Sequence, residues 1–385
     1  MDGGSTRAEV IATGESATNA AMAAAVLPRF ADMLELAGDE QYLPLVAEIH
    51  AFAVGQASAI KEHVWNGRWL NRAWIPLPNK TASGAAQFPG GWACTSGSDE
   101  RLCLEPQPWA ILASQGPAAV LDAAQTATLV ESLRAELRSP IGSTVLNRPF
   151  ARTQSVAASR AEARTTGAAD AGQHENGGVW PSQNHPLVLA LAEVNASLAL
   201  EEWKANSRHT QAELFPTYWP GIWSAADVVT SHLSTDGQHG IQAWPAMPVL
   251  CTHPHAWPVV SAARMSGLHF TAAGLHARPA LPTSAGDYSF ESRLASIRRR
   301  HLGGGAFEYS GSYTPLRPGD CELLLDLRAS HPTVGSAEIK ASLQEEELAA
   351  VTAVGGVAEL TQGGKRACGP EQPLLWRASF SERGA

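Results

Sequence analysis

The hydrophobic pattern of this chain changes period once, near Met265, and that change limits the fold more than any other feature. Before it, apolar residues recur at three-to-four spacing over long stretches, the mark of amphipathic helices. After it, Leu268-Phe270, Phe290, Phe307-Tyr309 and the apolar run 323–327 are short, turn-bounded strand candidates. Such a chain is mainly α, with a small antiparallel β domain following the helical part. The expected divisions are residues 1–265, 266–336 and a tail 337–385 with no clear assignment, where a Glu/Ala-rich stretch, 340–351, reads as helix.

Four helices are legible. Met22, Val26, Phe30 and Met33/Leu34 form the apolar stripe of the first, with Ser16 and Thr18 available as N-caps, Gly38 as a left-handed stop and Pro28 as an internal kink. A second helix, residues 40–64, carries Leu43, Val46, Ile49, Phe52/Ala53, Ile60 and Val64 on one side. Its short connection to the first predicts an antiparallel pair. Residues 117–138 and 186–204 each show a proline in the first turn followed by a leucine-rich stripe. Between them, 80–100 and 151–172 are Gly/Ala/Ser/Thr-rich and longer than ordinary connections, so they read as mobile inserts.

Composition excludes several functions. With 385 residues, 44% of them hydrophobic, the chain can bury a core, and its length suits two or three domains. The 28 Lys+Arg against 37 Asp+Glu give a net charge of -9, and no basic belt interleaves with aromatics, so nucleic acid is not an expected partner. The run Arg298-Arg299-Arg300 reads as a solvated face. No basic leader precedes an apolar segment, and no stretch reads as the roughly 20 apolar residues of a membrane span. Five widely spaced cysteines suggest neither a zinc site nor a disulfide framework. A cytoplasmic protein is the expectation, with no membrane association.

The tryptophans point to a ligand. Of the twelve, all but Trp376 fall in the helical part, several in loops beside Gly, Pro, Asn and His. Flat aromatic faces with polar edges suit the axial C–H groups of a pyranose, although each ring alone is as easily a core residue. Glu175-Asn176-Gly177-Gly178 could grip hydroxyls while its glycines let the backbone approach; alone it could equally be an Asx turn. His253-Pro254-His255 lacks the acidic or Cys partners of a metal site, so no metal is expected.

The order of segments is more informative. Trp65 to Trp74 (WNGRWLNRAW), then Gln107-Pro108-Trp109-Ala110, then Glu175-Asn176-Gly177-Gly178, then Thr252 to Trp257, resembles the C-terminal half of glycoside hydrolase family 94, the cellobiose, chitobiose and β-1,2-oligoglucan phosphorylases. The family shows W-D-G-x-W-Y-x-R-A, Q-x-W-A, E-N-G-G and T-G-S-A-G-W runs in this order. The resemblance implies the C-terminal part of an (α/α)6 toroid followed by a small antiparallel β domain. It also implies oligosaccharide as ligand and inorganic phosphate as co-substrate, with no other cofactor. Carried over, Trp69, Arg72, Gln107, Trp109, Glu175 and Asn176 would bind sugar, while Thr252, His253 and Ser182 would stand at the phosphate.

This chain departs from the family at the chemistry. Inverting phosphorolysis needs one carboxylic acid to protonate the glycosidic oxygen while phosphate attacks the opposite face of the anomeric carbon. In the family that acid lies in a D-W-N-D segment upstream of G-E-S. Here Gly14-Glu15-Ser16 is preceded only by Met1 to Thr13, where Asp2 is the single Asp: a displaced acid, the motif's last carboxylate, or a coincidence. Ser182 occupies the place of a phosphate-binding His, and His253 that of a Gly. Only about half of the twelve toroid helices are found. The resemblance therefore implies an incomplete phosphorylase, with a second chain completing the barrel or a homodimer as the expected assembly. A catalytically silent oligosaccharide binder and an (α/α)6 glycosidase are the alternatives.

Overall fold

The computed structural model describes residues 14–75, 91–93, 95–96, 99–116, 119–149, 171–214, 227–234, 253–271, 274–316, 319–331, 340–343, 346–347, 352–354, 357–359, 366–371 and 373–381. The chain divides into two compact units, Met1–Ala190 with Glu202–Trp257, and Leu191–Glu201 with Pro258–Ala385.

In the first unit, α1 (Ala17–Ala37) starts at Ser16, whose hydroxyl accepts the Asn19 N–H, runs through Pro28, and stops at Gly38 with φ 67°. A 3-10 turn, Glu40–Tyr42, leads into α2 (Leu43–Ala59), which a π-turn extends to Val64. The hairpin closes through Ala31, Val46 and Ile49, with Leu27 and Leu34 packed against them. Here the expected stripe is wrong in its face. The residues that α1 buries are Ala17, Ala21, Ala24 and Ala31, while Met22, Val26, Phe30 and Met33 are exposed. Alanines let helices approach closely, and both rows share the same spacing, so period alone does not say which row packs. Leu43 and Phe52 of the second predicted stripe are also exposed. By length and composition the continuous run Glu40–Val64 could cross a membrane, against the sequence reading that no stretch is apolar enough.

α3 (Pro106–Ala113) is followed by α4 (Ala123–Glu136), which starts later than Pro117 suggests. A capping box decides the start: Asp122 accepts the Gln125 N–H, and the Gln125 side chain accepts the Asp122 N–H. The single helix expected over 186–204 is two, α5 (Pro181–Val194) and α6 (Ala196–Ala205). Asn195 separates them and accepts the Leu198 N–H with its side chain. α7 (Arg208–Leu214) and α8 (His253–Ser266) bring the helices among the described residues to eight. With the sheets that follow them they establish a helical part followed by a β domain. Short strands β1 (Glu15–Ser16), β2 (Ala73–Ile75) and β3 (Gly91–Ala93) form one antiparallel sheet, and β4 (Thr95–Ser96) pairs β5 (Asp99–Glu100).

The second unit carries two six-stranded sheets. One has the order β13-β12-β17-β10-β9-β8, built from β8 (Tyr288–Glu291), β9 (Ala295–Gly303), β10 (Ala306–Tyr313), β12 (Lys340–Leu343), β13 (Glu346–Glu347) and β17 (Leu374–Ser381). The other joins β14 (Thr352–Val354), β15 (Val357–Glu359), β11 (Gly319–Asp326), β7 (Gly274–Ala277) and β6 (Leu268–Phe270), with β16 (Arg366–Cys368) also on β11. Leu268, Leu275, Leu323 and Leu325 of one sheet share a core with Ile297, Phe307, Tyr309, Trp376 and Phe380 of the other. The β domain is antiparallel except at β7 and β11, which pair in parallel with Leu275 opposite Leu323.

Two further readings are corrected here. Lys340–Leu343 is a strand paired with β17, because tertiary pairing outweighs the helix propensity of that stretch. Arg299 is buried within the run read as solvated. Strand alternation turns it inward, where its guanidinium donates to the carbonyls of Leu281, Pro282 and Gly286 and lies 4.8 Å from the Tyr288 ring centre.

Candidate functional site

Hydrogen bonds lace three of the motif-bearing segments into one cluster of loops in the first unit. The Leu70 N–H donates to Gln107 Oε1 at 3.0 Å, and Gln107 Nε2 donates back to the carbonyls of Leu70 (2.8 Å) and Cys103 (2.9 Å). The Leu104 N–H donates to the Val145 carbonyl at 3.0 Å, and the Val145 N–H to the Gly178 carbonyl at 2.9 Å. Val179 and Val229 exchange both backbone bonds, at 2.8 and 2.9 Å. The chain thus passes from the Trp65–Trp74 segment to the start of α3, to the loop after α4, to Glu175–Gly178, and on to 229. Gly178 is needed for this approach: a Cβ there would come 2.7 Å from the His174 carbonyl oxygen and 2.8 Å from Val228.

The predicted sugar ligands divide by exposure. Arg72 and Glu105 form a two-point ion pair, Nε–Oε2 2.6 Å and Nη2–Oε1 3.0 Å, both partly open to solvent. Trp109, on α3, is half-buried, and Glu175 is exposed. By contrast, Trp69 is 1% exposed, under the Arg68 guanidinium at 4.5 Å. Gln107 is buried and held by backbone on both ends of its amide. Asn176 is buried too, its N–H bonded to the Gln173 carbonyl and its carbonyl to the Gly172 N–H. The indole N–H groups of Trp69 and Trp180 are buried with no hydrogen-bond partner among the described residues.

The predicted phosphate ligands are less well placed. Ser182 is half-buried in the first turn of α5, where Pro181 has no N–H and those of Gln183 and Asn184 both go to the Trp180 carbonyl at 2.9 Å. That helix start lacks the fan of N–H donors that usually holds an anion. His253 begins α8, and its side chain lies outside the described residues, as do Thr252 and Asp2. The next histidine, His255, is 3.1 Å from Arg208, and burial followed by that neighbouring charge lowers its pKa. Burial alone brings His185 down to about 4.

Sequence reasoning missed a buried polar knot beneath the loops. The Glu202 carboxylate, on α6, accepts the Ser143 N–H at 2.7 Å, the Ser143 hydroxyl at 3.1 Å and the Asn184 amide at 3.0 Å. Asn184 also donates to the Ser143 carbonyl, and Asn206 donates to Asn184 and to the Ile141 carbonyl. Burial raises the Glu202 pKa against the pull of these donors and of Arg138. Nothing in the spacing of Glu201-Glu202-Trp203 distinguishes it from a solvated helix face. At the surface, Glu136 is held below the carboxylate range by its hydrogen bond from Asn147 and by Arg68, opposed by burial. Glu202 is thus buried with its three donors, whereas Glu136 lies nearer the surface between Asn147 and Arg68. No group of three or more His, Cys, Asp or Glu among the described residues could hold a metal ion.

No family model matches the chain, and no curated protein matches it. Among solved structures it is similar to Ara127N-Se, a GH127 beta-L-arabinofuranosidase from Geobacillus stearothermophilus T6, at 12% identity and TM-score 0.30, covering 90% of this chain and 52% of that one. A second structure, titled a glycoside hydrolase, aligns at 9% identity and TM-score 0.26 over 72% of this chain and 46% of its own. The chain spans about half the length of both, and these TM-scores lie below the level at which two chains share a fold.

Proposed function

We propose that the laced loop cluster recognises β-linked gluco-oligosaccharides, and that the chain, a relative of the inverting glycoside phosphorylases with Ser182 at the place of their phosphate-binding histidine, binds sugar with little turnover. The observation that carries this reading is the joining of the Trp65–Trp74, Gln107–Ala110 and Glu175–Gly178 segments, with the Arg72–Glu105 pair beside them. Arg72 offers donors and Glu105 acceptors to neighbouring hydroxyls of one sugar, Trp109 offers a ring face, and Glu175 a further acceptor. In this reading Gln107, whose side-chain amide is held by backbone, and Asn176, buried and bonded through its own N–H and carbonyl, shape the loops. Ser182, Thr252 and His253 would hold phosphate and Asp2 would be the acid.

The test is calorimetric binding of cello-oligosaccharides, run beside release of sugar 1-phosphate in the presence of phosphate. Binding is expected, weakened about 10- to 100-fold in Arg72→Ala, the loss of a charge-assisted contact of about 1.5–3 kcal/mol. Sugar 1-phosphate should be scarce. Fast phosphate-dependent release abolished by Asp2→Asn would replace the silent reading with an active phosphorylase, and phosphate-independent release would mark a glycosidase. No binding and no turnover would end the carbohydrate reading.

A further inference from the structure

Four large apolar side chains of α1 face away from the side on which the helix is packed. At about 100° per residue, Met22, Val26, Phe30 and Met33 fall on one face, opposite the buried Ala17, Ala21, Ala24 and Ala31. They are 36%, 47%, 44% and 65% exposed. The hairpin extends this face. Leu27, Ala31 and Leu34 meet Val46 and Ile49 across the antiparallel pair, which sets Leu45 and Phe52 of α2, 42% and 51% exposed, on the same outward side. Six large side chains thus form one apolar band along two adjacent helices.

The size of this band says what kind of contact it suits. Six side chains about half exposed, the two phenylalanines at roughly 150–250 Å² each and the others somewhat smaller, leave on the order of 500 Å² of apolar surface. A stable interface buries about 800 Å² per partner, about 65% of it apolar at a homodimer contact, so the band accounts for nearly the whole apolar share. Its flank suits an identical partner. Arg29 on α1 and Glu48 on α2, both exposed, carry opposite signs at the two edges of the band, so a two-fold running along the helices can set each against the other's counterpart. We infer that this face is the contact surface for a second copy of the chain, meeting the same face in an isologous dimer. The inference is independent of sugar binding.

Sedimentation velocity from sub-micromolar to high micromolar concentration tests it. The full chain is expected to sediment as a dimer, and Val26→Glu/Phe30→Glu as a monomer with unchanged helical circular dichroism, because both side chains are already exposed in the single chain. Val54→Glu, exposed on α2 away from the band, should leave the dimer intact. Should the double variant fail to fold, Phe30→Ser serves, with dimer dissociation at least 10-fold easier. A monomeric wild type overturns the inference, and so does a dimer that survives substitution of the band. A wild-type monomer that floats with phosphatidylcholine/phosphatidylglycerol vesicles would also overturn it, assigning the band to lipid.

Discussion

Glu202 shows how an ionisable group can be kept inside a helical unit for the sake of the loops above it. Its three donors tie α6 to Ser143 and Asn184, yet burial raises its pKa. With the folded value above the unfolded one, near 4.3, the folded chain holds the proton more tightly. The stabilising contribution is fully present below the unfolded value and is lost as pH rises through the folded value. A glutamine fits the same donors, since its oxygen can take the Ser143 N–H and the Asn184 amide while its nitrogen donates to the Ser143 hydroxyl. Glu202→Gln is expected to lie within about 1 kcal/mol of wild type at neutral pH and to show a flatter stability profile from pH 4 to 8. Glu202→Ala should cost about 2–4 kcal/mol, because it leaves a buried N–H and an amide unpaired. Thermal melts of the three proteins across that range check both statements; a wild-type profile parallel to that of the glutamine variant would remove the charge from the account.

At the level of elements, the sequence revealed kinds better than faces. Ser16, Gly38 and the strand runs at 268–270 and 323–327 were readable because caps and alternation act locally. The packing face of α1 was not, since alanines and large residues recur at the same interval and only the neighbours decide between them. Arg299 was misread for a similar reason: three arginines in a row look solvated until the strand's pleat turns the middle one inward. For the site, the motif segments could be read from their residues, whereas the engagement of the Gln107 amide by the Leu70 backbone depended on a contact 37 residues away in sequence. Gly311 on β10 illustrates the same dependence on partners. It lies between Ile297 and Trp376 in register, and a Cβ there would run into the Ser296 carbonyl oxygen and sit 3.0 Å from the Trp376 ring. Gly311→Ala should therefore destabilise the second unit by about 3 kcal/mol, the upper range for overpacking. Amide exchange on β9, β10 and β17 in denaturant would read this, and a change below about 0.5 kcal/mol would show that the strands yield without cost.

For the molecule as a whole, the two units have separate means of being observed, because eleven of the twelve tryptophans lie in the first and Trp376 alone in the second. Indole emission therefore reports mainly the helical unit, and amide exchange on β9, β10 and β17 reports the two-sheet unit. Asp326 distinguishes them. It is 2% exposed, bonded by the Arg328 guanidinium and 3.2 Å from Arg278, which also reaches Glu193 at 2.8 Å. Burial acts to raise its pKa, but the bonds from Arg328 and the two guanidinium charges prevail and hold it down. A depressed folded pKa gives stability that is present above the unfolded value and lost as pH falls through the folded one, opposite in sign to Glu202. Asp326→Asn should thus weaken the second unit by about 1.5–3 kcal/mol at pH 7 and by little at strongly acidic pH. If the units unfold independently, the emission midpoint stays where it was while exchange on the sheets accelerates. Emission and exchange midpoints falling together would instead show one cooperative transition, in which the Asp326 bonds stabilise the helices as well as the sheets.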